Sequence, residues 1–142
     1  MIPMFLLLMQ MSCPDRALGF SQTATKHTFR LFRDGGAIEL RVLDANDAAT
    51  LKMVRHHLQT IANDFAAGDF AKPEAVHDRL PDGAARMKEL RAAINYQYSK
   101  IRSGGRVRIT TSNAKALEAV HEFLRFQIRE HKTGDSLEII SD

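Results

Sequence analysis

The chain has 142 residues, of which 44% are hydrophobic and 26% charged, as expected for one globular domain. Its 20 basic residues are mixed with 17 acidic ones, giving a net charge of +3 that argues against a polybasic arm dedicated to nucleic acid. The single cysteine, Cys13, excludes an internal disulfide.

The first nineteen residues differ from the rest of the chain. An apolar run over residues 2–11 is followed by a small-x-small pattern at residues 17–19, which predicts a secretory signal peptide cleaved after Gly19 and a periplasmic or secreted protein. The alternatives are a lipoprotein anchored at Cys13 and a cytoplasmic protein whose N-terminal run packs on the domain. The run is shorter than the roughly 20 apolar residues of a membrane helix, so no stable span is expected in the mature chain. Cleavage would remove Cys13, so cysteine chemistry is not expected either.

The pattern of residues 29–42 returns at residues 96–109. Each stretch predicts a strand, a turn beside a Gly-Gly pair and a second strand. Each is followed by the pattern of an amphipathic helix. We therefore predict an α+β domain over residues 20–142, made of two ββα repeats at about 27–67 and 94–132. The simplest assembly is a four-stranded antiparallel sheet with both long helices on one face. Two unrelated hairpin-helix units would give the same fold.

The elements follow in chain order from turn, cap and periodicity signals. Strands are expected at 28–32 and 38–42, then a helix from an Asn46 or Asp47 cap to Gly68. The crossover at 68–93 predicts a short helix at Pro73, a turn at 81–83 and further helix at 86–92. Strands at 95–100 and 106–110 and a helix over 113–131 complete the chain. The helices carry apolar stripes at three- and four-residue spacing: Leu51, Val54, Leu58, Ile61 and Phe65 in the first, and Leu117, Val120, Leu124 and Ile128 in the second.

Histidines are the main candidates for chemistry. His57 falls at the margin of the first stripe, while His77 and Met87 lie in the crossover. If they meet, these three side chains would form a soft or borderline metal site suited to copper or zinc. The alternative is an ordinary hydrogen-bonding or surface role, because the chain lacks the His-x-x-x-His spacing that puts two ligands on one helical face.

The other histidines are assigned ordinary places. His56 is expected to face solvent, His27 to be exposed before the first strand, and His121 to sit near the edge of the second stripe. His131 falls close to the centre of that stripe in the last helical turn, where the helix dipole favours a positive charge.

Three further readings concern catalysis, nucleic acid and partners. His77 with Asp78 could serve acid-base chemistry in a small hydrolase, although we identify no nucleophile or oxyanion site and assign no catalytic residue.

The strand alternation places arginines and Phe32 on the sheet face away from the helices. Nucleic-acid binding is nonetheless not expected, because a stacking platform is missing. Phe126 lies well away from the second stripe and Phe123 lies at its margin. Together they predict an exposed surface for a protein partner or a homodimer, the alternative being burial under the crossover.

One stretch of the chain carries a family resemblance. Residues 57–62, 65–70 and 73–77, within a region from about His27 to Gly134, resemble a family of small bacterial proteins, often exported, that are sometimes labelled aspartate carbamoyltransferase. The resemblance implies export and no mechanism. The label itself is unsupported, since the chain is far shorter than that enzyme and lacks both a Ser-Thr-Arg-Thr-type carbamoyl-phosphate loop and a cysteine zinc cluster.

The sequence thus leads to a hypothesis of a small exported, non-catalytic protein that binds a transition metal through His57 and His77, with Met87 as a weaker ligand. An interaction or homodimerising module is the alternative, and an enzyme comes third.

Overall fold

The architecture is a mixed five-stranded sheet with two long helices on one face, seen in a computed structural model that describes residues 20–141. The predicted signal peptide and the lipoprotein alternative at Cys13 lie outside the described residues. In chain order the elements are β1 (Thr25–Phe32), β2 (Gly35–Val42), α1 (Ala48–Ala66), α2 (Ala71–His77), α3 (Ala84–Glu89), β3 (Ile94–Ile101), β4 (Gly104–Thr111), α4 (Ala114–His131) and β5 (Ile139–Ile140), with 3-10 turns at Gln22–Ala24 and Arg91–Ala93.

The α+β class is confirmed, and the sheet needs one correction. The strand order is β3-β4-β2-β1-β5, with β1 to β4 antiparallel as two adjoining hairpins. A fifth strand, β5, pairs in parallel with Leu31 and Phe32 of β1, so the sheet is mixed and not four-stranded antiparallel. Only two residues of β5 pair, and so short a segment gives no periodic signal in the sequence.

Local capping fixes where the long helices begin. The Asp47 side chain accepts a hydrogen bond from the Thr50 amide at 3.1 Å, and the Asn113 side chain accepts one from the Ala116 amide at 2.9 Å. Each bond satisfies an amide that the first helical turn leaves without a partner. Gly68, in the left-handed region at φ 80°, follows the end of α1.

Both helices pack on the same face of the sheet, α1 over β2, β3 and β4, and α4 over β1, β2 and β4. Gly36 and Gly105, the second glycines of the two Gly-Gly pairs, make this approach possible. A Cβ at Gly36 would collide with the Leu124 side chain, and one at Gly105 would lie 2.8 Å from Cδ1 of Leu58. The repeated glycines therefore let one leucine of each helix reach the sheet.

The crossover lies against α4 and overturns one prediction. Phe123 and Phe126 are 1% and 2% exposed, so they form no surface for a partner or a second copy. Phe126 contacts the His77 ring at 5.2 Å between centroids, and the Arg79 guanidinium lies 4.4 Å from its ring centre. The alternative of burial under the crossover is the correct one.

The second sheet face carries the predicted arginines arranged around one acid. The carboxylate of Glu39, a buried residue, accepts from Arg41 at 2.9 Å and from Arg30 at 3.4 Å, and lies 4.0 Å from Arg106. Phe32 was expected to be an exposed aromatic here. It is 4% exposed, and the guanidiniums of Arg106 and Arg108 lie over its ring.

None of the helices in residues 20–141 is both long and apolar enough to cross a membrane.

Candidate functional site

Four of the six histidines line one small cavity between the sheet and the crossover. His27 comes from β1, His57 from α1, His77 from α2 and His131 from the end of α4. Apolar groups form most of the remaining wall, together with Lys72 and Gln127: Phe29, Ile38, Leu58, Ile61, Phe65, Pro73, Val76 and Phe123. The fold thus gathers four imidazoles from four separate elements.

The cavity measures about 40 Å³. One water molecule needs about 10–15 Å³ by a comparable measure, whereas pockets for small organic ligands are usually some 300–1,000 Å³. The space therefore suits a single ion or a few waters and excludes an organic substrate.

Three of the rings are in contact with one another. The ring centroids of His27 and His131 are 4.5 Å apart, with planes inclined by 25°, so these rings stack. His77 meets His131 edge to face at 4.8 Å. His57 lies deeper, is 5% exposed and packs against the Phe20 ring at 5.3 Å.

The orientation of His77 is set by α4. Its Nε2 lies 2.8 Å from Oε1 of Gln127, a buried residue. Because an amide oxygen only accepts, Nε2 carries the proton and donates it, and the lone pair of neutral His77 is on Nδ1. Such a bond to the second nitrogen is how proteins hold a metal-ligating imidazole in place.

The cavity environment disfavours protonation of the rings. Burial lowers the pKa of His27 to about 4, with smaller contributions from His57 and His77. Burial, followed by the charges of Lys72 and His56, lowers the pKa of His57 to about 4. Burial and the neighbouring His27 and His77 lower the pKa of His131 to about 3. These three imidazoles are therefore neutral at pH 7.

Among the residues that the structure describes, one cation and no carboxylate border the cavity. Lys72 is part of the wall, and its ammonium is paired with Oδ2 of Asp64 at 2.8 Å. The pair offsets much of the lysine charge near the imidazoles. Within residues 20–141, no three histidine, cysteine, aspartate or glutamate side chains are arranged to share a metal ion. The stacked ring of His131 would have to turn before it could join a common coordination sphere.

The structure brings only some of the predicted site residues to the cavity. His57 and His77 come to the same cavity, but Met87 is fully buried in the hydrophobic core and is not part of the cavity wall. Met87 is therefore withdrawn as a ligand. Asp78 is exposed, adopts the left-handed conformation at the end of α2 and does not reach the cavity, which separates it from the chemistry predicted with His77.

His27, which was expected to be exposed, is part of the cavity wall, and the positive charge expected for His131 is disfavoured by burial, which lowers its pKa. Neither residue was predicted as part of the site, although signals for both were present. His27 is two residues before Phe29, so strand alternation points both side chains to the covered face. His131 lies near the centre of the apolar stripe of α4 and therefore also faces the core.

The two remaining histidines have other environments. His56 is exposed. His121 is buried, and its Nε2 donates to the carbonyl oxygens of Phe32 and Gly35 at 2.8 and 3.0 Å. His121 therefore secures the turn between β1 and β2.

No family of known proteins, curated protein or solved structure matches this chain. The resemblance to the small exported family stays a prediction, as does export itself.

Proposed function

We propose that this chain is a small exported, non-catalytic protein that binds one divalent transition-metal ion through the cavity histidines. The observation that carries the proposal is the convergence of His27, His57, His77 and His131 on a cavity of ionic size. Neutral imidazole is among the commonest metal ligands in proteins, and proton competition is weak for rings with a lowered pKa.

The ligand chemistry selects the class of metal. With Met87 in the core, the donors among the described residues are imidazole nitrogens without a soft sulfur ligand, and such donors suit Cu(II) and Zn(II) more than Cu(I). Cu(II) forms the more stable complexes of the two with nitrogen ligands, so we expect it to bind more tightly.

Coordination requires a local rearrangement. His77 already has its orienting partner in Gln127, and His57 is fixed by packing, whereas the stacked pair of His27 and His131 must separate so that a nitrogen faces the ion. We propose His57 and His77 as the fixed ligands and the stacked pair as the ligands that close around the metal.

Isothermal titration with Zn(II) and Cu(II) tests the proposal. We expect one ion to bind per chain. His57→Leu should weaken binding by about 100-fold or more, because it removes a ligand, whereas loss of an orienting partner costs about 10- to 100-fold. His56→Leu is the matched control, since it removes the adjacent exposed imidazole and should leave the affinity unchanged.

Thermal melting of both variants checks that they remain folded. Equal loss of affinity in His56→Leu and His57→Leu would place metal binding at the surface and contradict the proposal. Absence of binding by the unmodified protein would contradict it outright.

A further inference from the structure

The stacked pair of His27 and His131 borders two spaces. On one side lies the histidine cavity, and on the other a larger outer depression of about 240 Å³. The rest of the depression is lined by Gln22, Thr25, Lys26 and Thr133. The same two rings take part in both walls, so they separate the inner cavity from the outer depression.

The two halves of this partition differ in how they are held. His27 lies within β1, opposite Leu40 of β2, and is fixed by strand pairing. His131 is the last residue of α4 and is followed by Lys132 in the left-handed conformation at φ 52°. The His131 ring contacts the rings of His27, Phe29 and His77, but the backbone of a terminal helical turn opens more easily than that of a paired strand, so His131 is the half that can move aside.

We infer that the metal ion reaches the cavity through the outer depression and passes between His27 and His131. This inference rests on the proposed function, because it names the route to the same site. His131 then captures the ion on the outer side and passes it to His77, whose ring it already contacts at 4.8 Å between centroids.

The depression contains a feature that opposes uptake of a cation. Lys26 is exposed and is the one lysine or arginine among the described residues that line the depression. A positive charge beside the route repels an approaching divalent ion, and this repulsion weakens with salt because exposed charges are screened over about 10 Å at 0.1 M. Reversing the charge at Lys26 should therefore accelerate uptake.

Stopped-flow uptake of Zn(II), followed by competition with a chromophoric chelator, provides the test. Lys26→Glu is compared with Lys100→Glu, an exposed lysine on β3 at the opposite side of the sheet. Both substitutions change the net charge equally, so only the local field differs. At about 20 mM ionic strength we expect uptake by Lys26→Glu to be at least about threefold faster than by Lys100→Glu, and at 0.5 M salt the difference should shrink.

A second pair of variants guards against misfolding at position 26. Gln22→Glu adds a negative charge in the same depression with little change of shape, and Gln97→Glu adds one to exposed β3. Faster uptake by Gln22→Glu alone supports the route. Equal rates within both pairs, in a protein that binds Zn(II) at equilibrium, would overturn the route but not the metal site. No binding at equilibrium would overturn both.

Discussion

Each face of the sheet carries a cluster of ionisable side chains. The two clusters differ in whether their charges are neutralised within the cluster. On the open face, Glu39 sits among arginines and accepts hydrogen bonds from two of them. On the helix-covered face, four imidazoles meet beside a small cavity that no carboxylate within residues 20–141 borders. The charges on the open face neutralise one another, whereas buried imidazoles of lowered pKa that converge on one cavity indicate a candidate binding site.

Because arginines surround its carboxylate, Glu39 is assigned a role in stability. Its replacement gives the largest expected effect. Glu39→Gln leaves Arg30, Arg41 and Arg106 without their shared anion. Breaking a buried ion pair costs about 3–5 kcal/mol, and the arginine side chains Arg30 and Arg41 are 42% and 41% exposed, so solvent relieves part of the loss. We expect the free energy of unfolding in urea to fall by about 3 kcal/mol.

Asp82→Asn, in the crossover, is the matched control for Glu39→Gln. It removes one carboxylate from the pair with Arg79, in which both side chains are more than half exposed, and should cost about 0.5 kcal/mol or less. Metal affinity should be unchanged in Glu39→Gln. If that variant kept full stability and lost metal, the assignment of the two faces would be reversed.

Acidification gives the next effect and probes the covered face. In the folded protein the pKa of His57 is about 4, compared with about 6.5 in an unfolded chain. The unfolded state therefore binds a proton first, and stability is fully present above about pH 6.5 and decreases as the pH falls toward 4. At pH 5 this should cost about 2 kcal/mol for His57, and the lowered pKa values of His27 and His131 add to the loss.

Urea denaturation at pH 7.5 and 5.0, with a chelator present, measures this loss. His57→Phe removes one of the titrating rings and should reduce the dependence on pH, whereas His56→Phe should retain it. The same dependence in His57→Phe and the unmodified protein would mean that His57 is protonated as readily in the folded chain as in the unfolded one.

The two faces also differ in how far the sequence predicted them. Strand alternation places Arg30 opposite to Phe29 and Leu31, so the open face follows from a period of two. The repeat predicts both hairpins and both long helices, since turn glycines, caps and apolar stripes are local signals. The pairing of β5 depends on how residues 139–140 return to the edge of the sheet, which no local pattern encodes.

The histidine cluster shows the same limit. Periodicity alone directs His27 and His131 to the covered face, but only the position of α2 over α4 brings His77 to them. The crossover consists of short helices joined by turns, and its docking depends on contacts such as Phe126 with His77. Met87 illustrates the converse error, because its nearness to His77 in sequence does not place it at the cavity.

The smallest expected effect is that of replacing Gln127, the buried polar residue that orients the imidazole of His77. Gln127→Leu preserves the bulk of the side chain but removes the acceptor for Nε2 of His77. Loss of an orienting partner typically weakens metal binding by 10- to 100-fold. We expect about a tenfold weaker Kd for Zn(II) by isothermal titration, equivalent to about 1.4 kcal/mol.

Gln59→Leu, on the exposed part of α1, is the matched control and should not alter the Kd. The result also separates two accounts of the covered face. If the histidines merely fill a partly polar core, Gln127→Leu changes the free energy of unfolding but does not change the affinity for Zn(II). If they form a site, Gln127→Leu lowers the affinity for Zn(II), and His57→Leu lowers it further. The orienting bond only positions a ligand, whereas removing the imidazole removes the ligand itself.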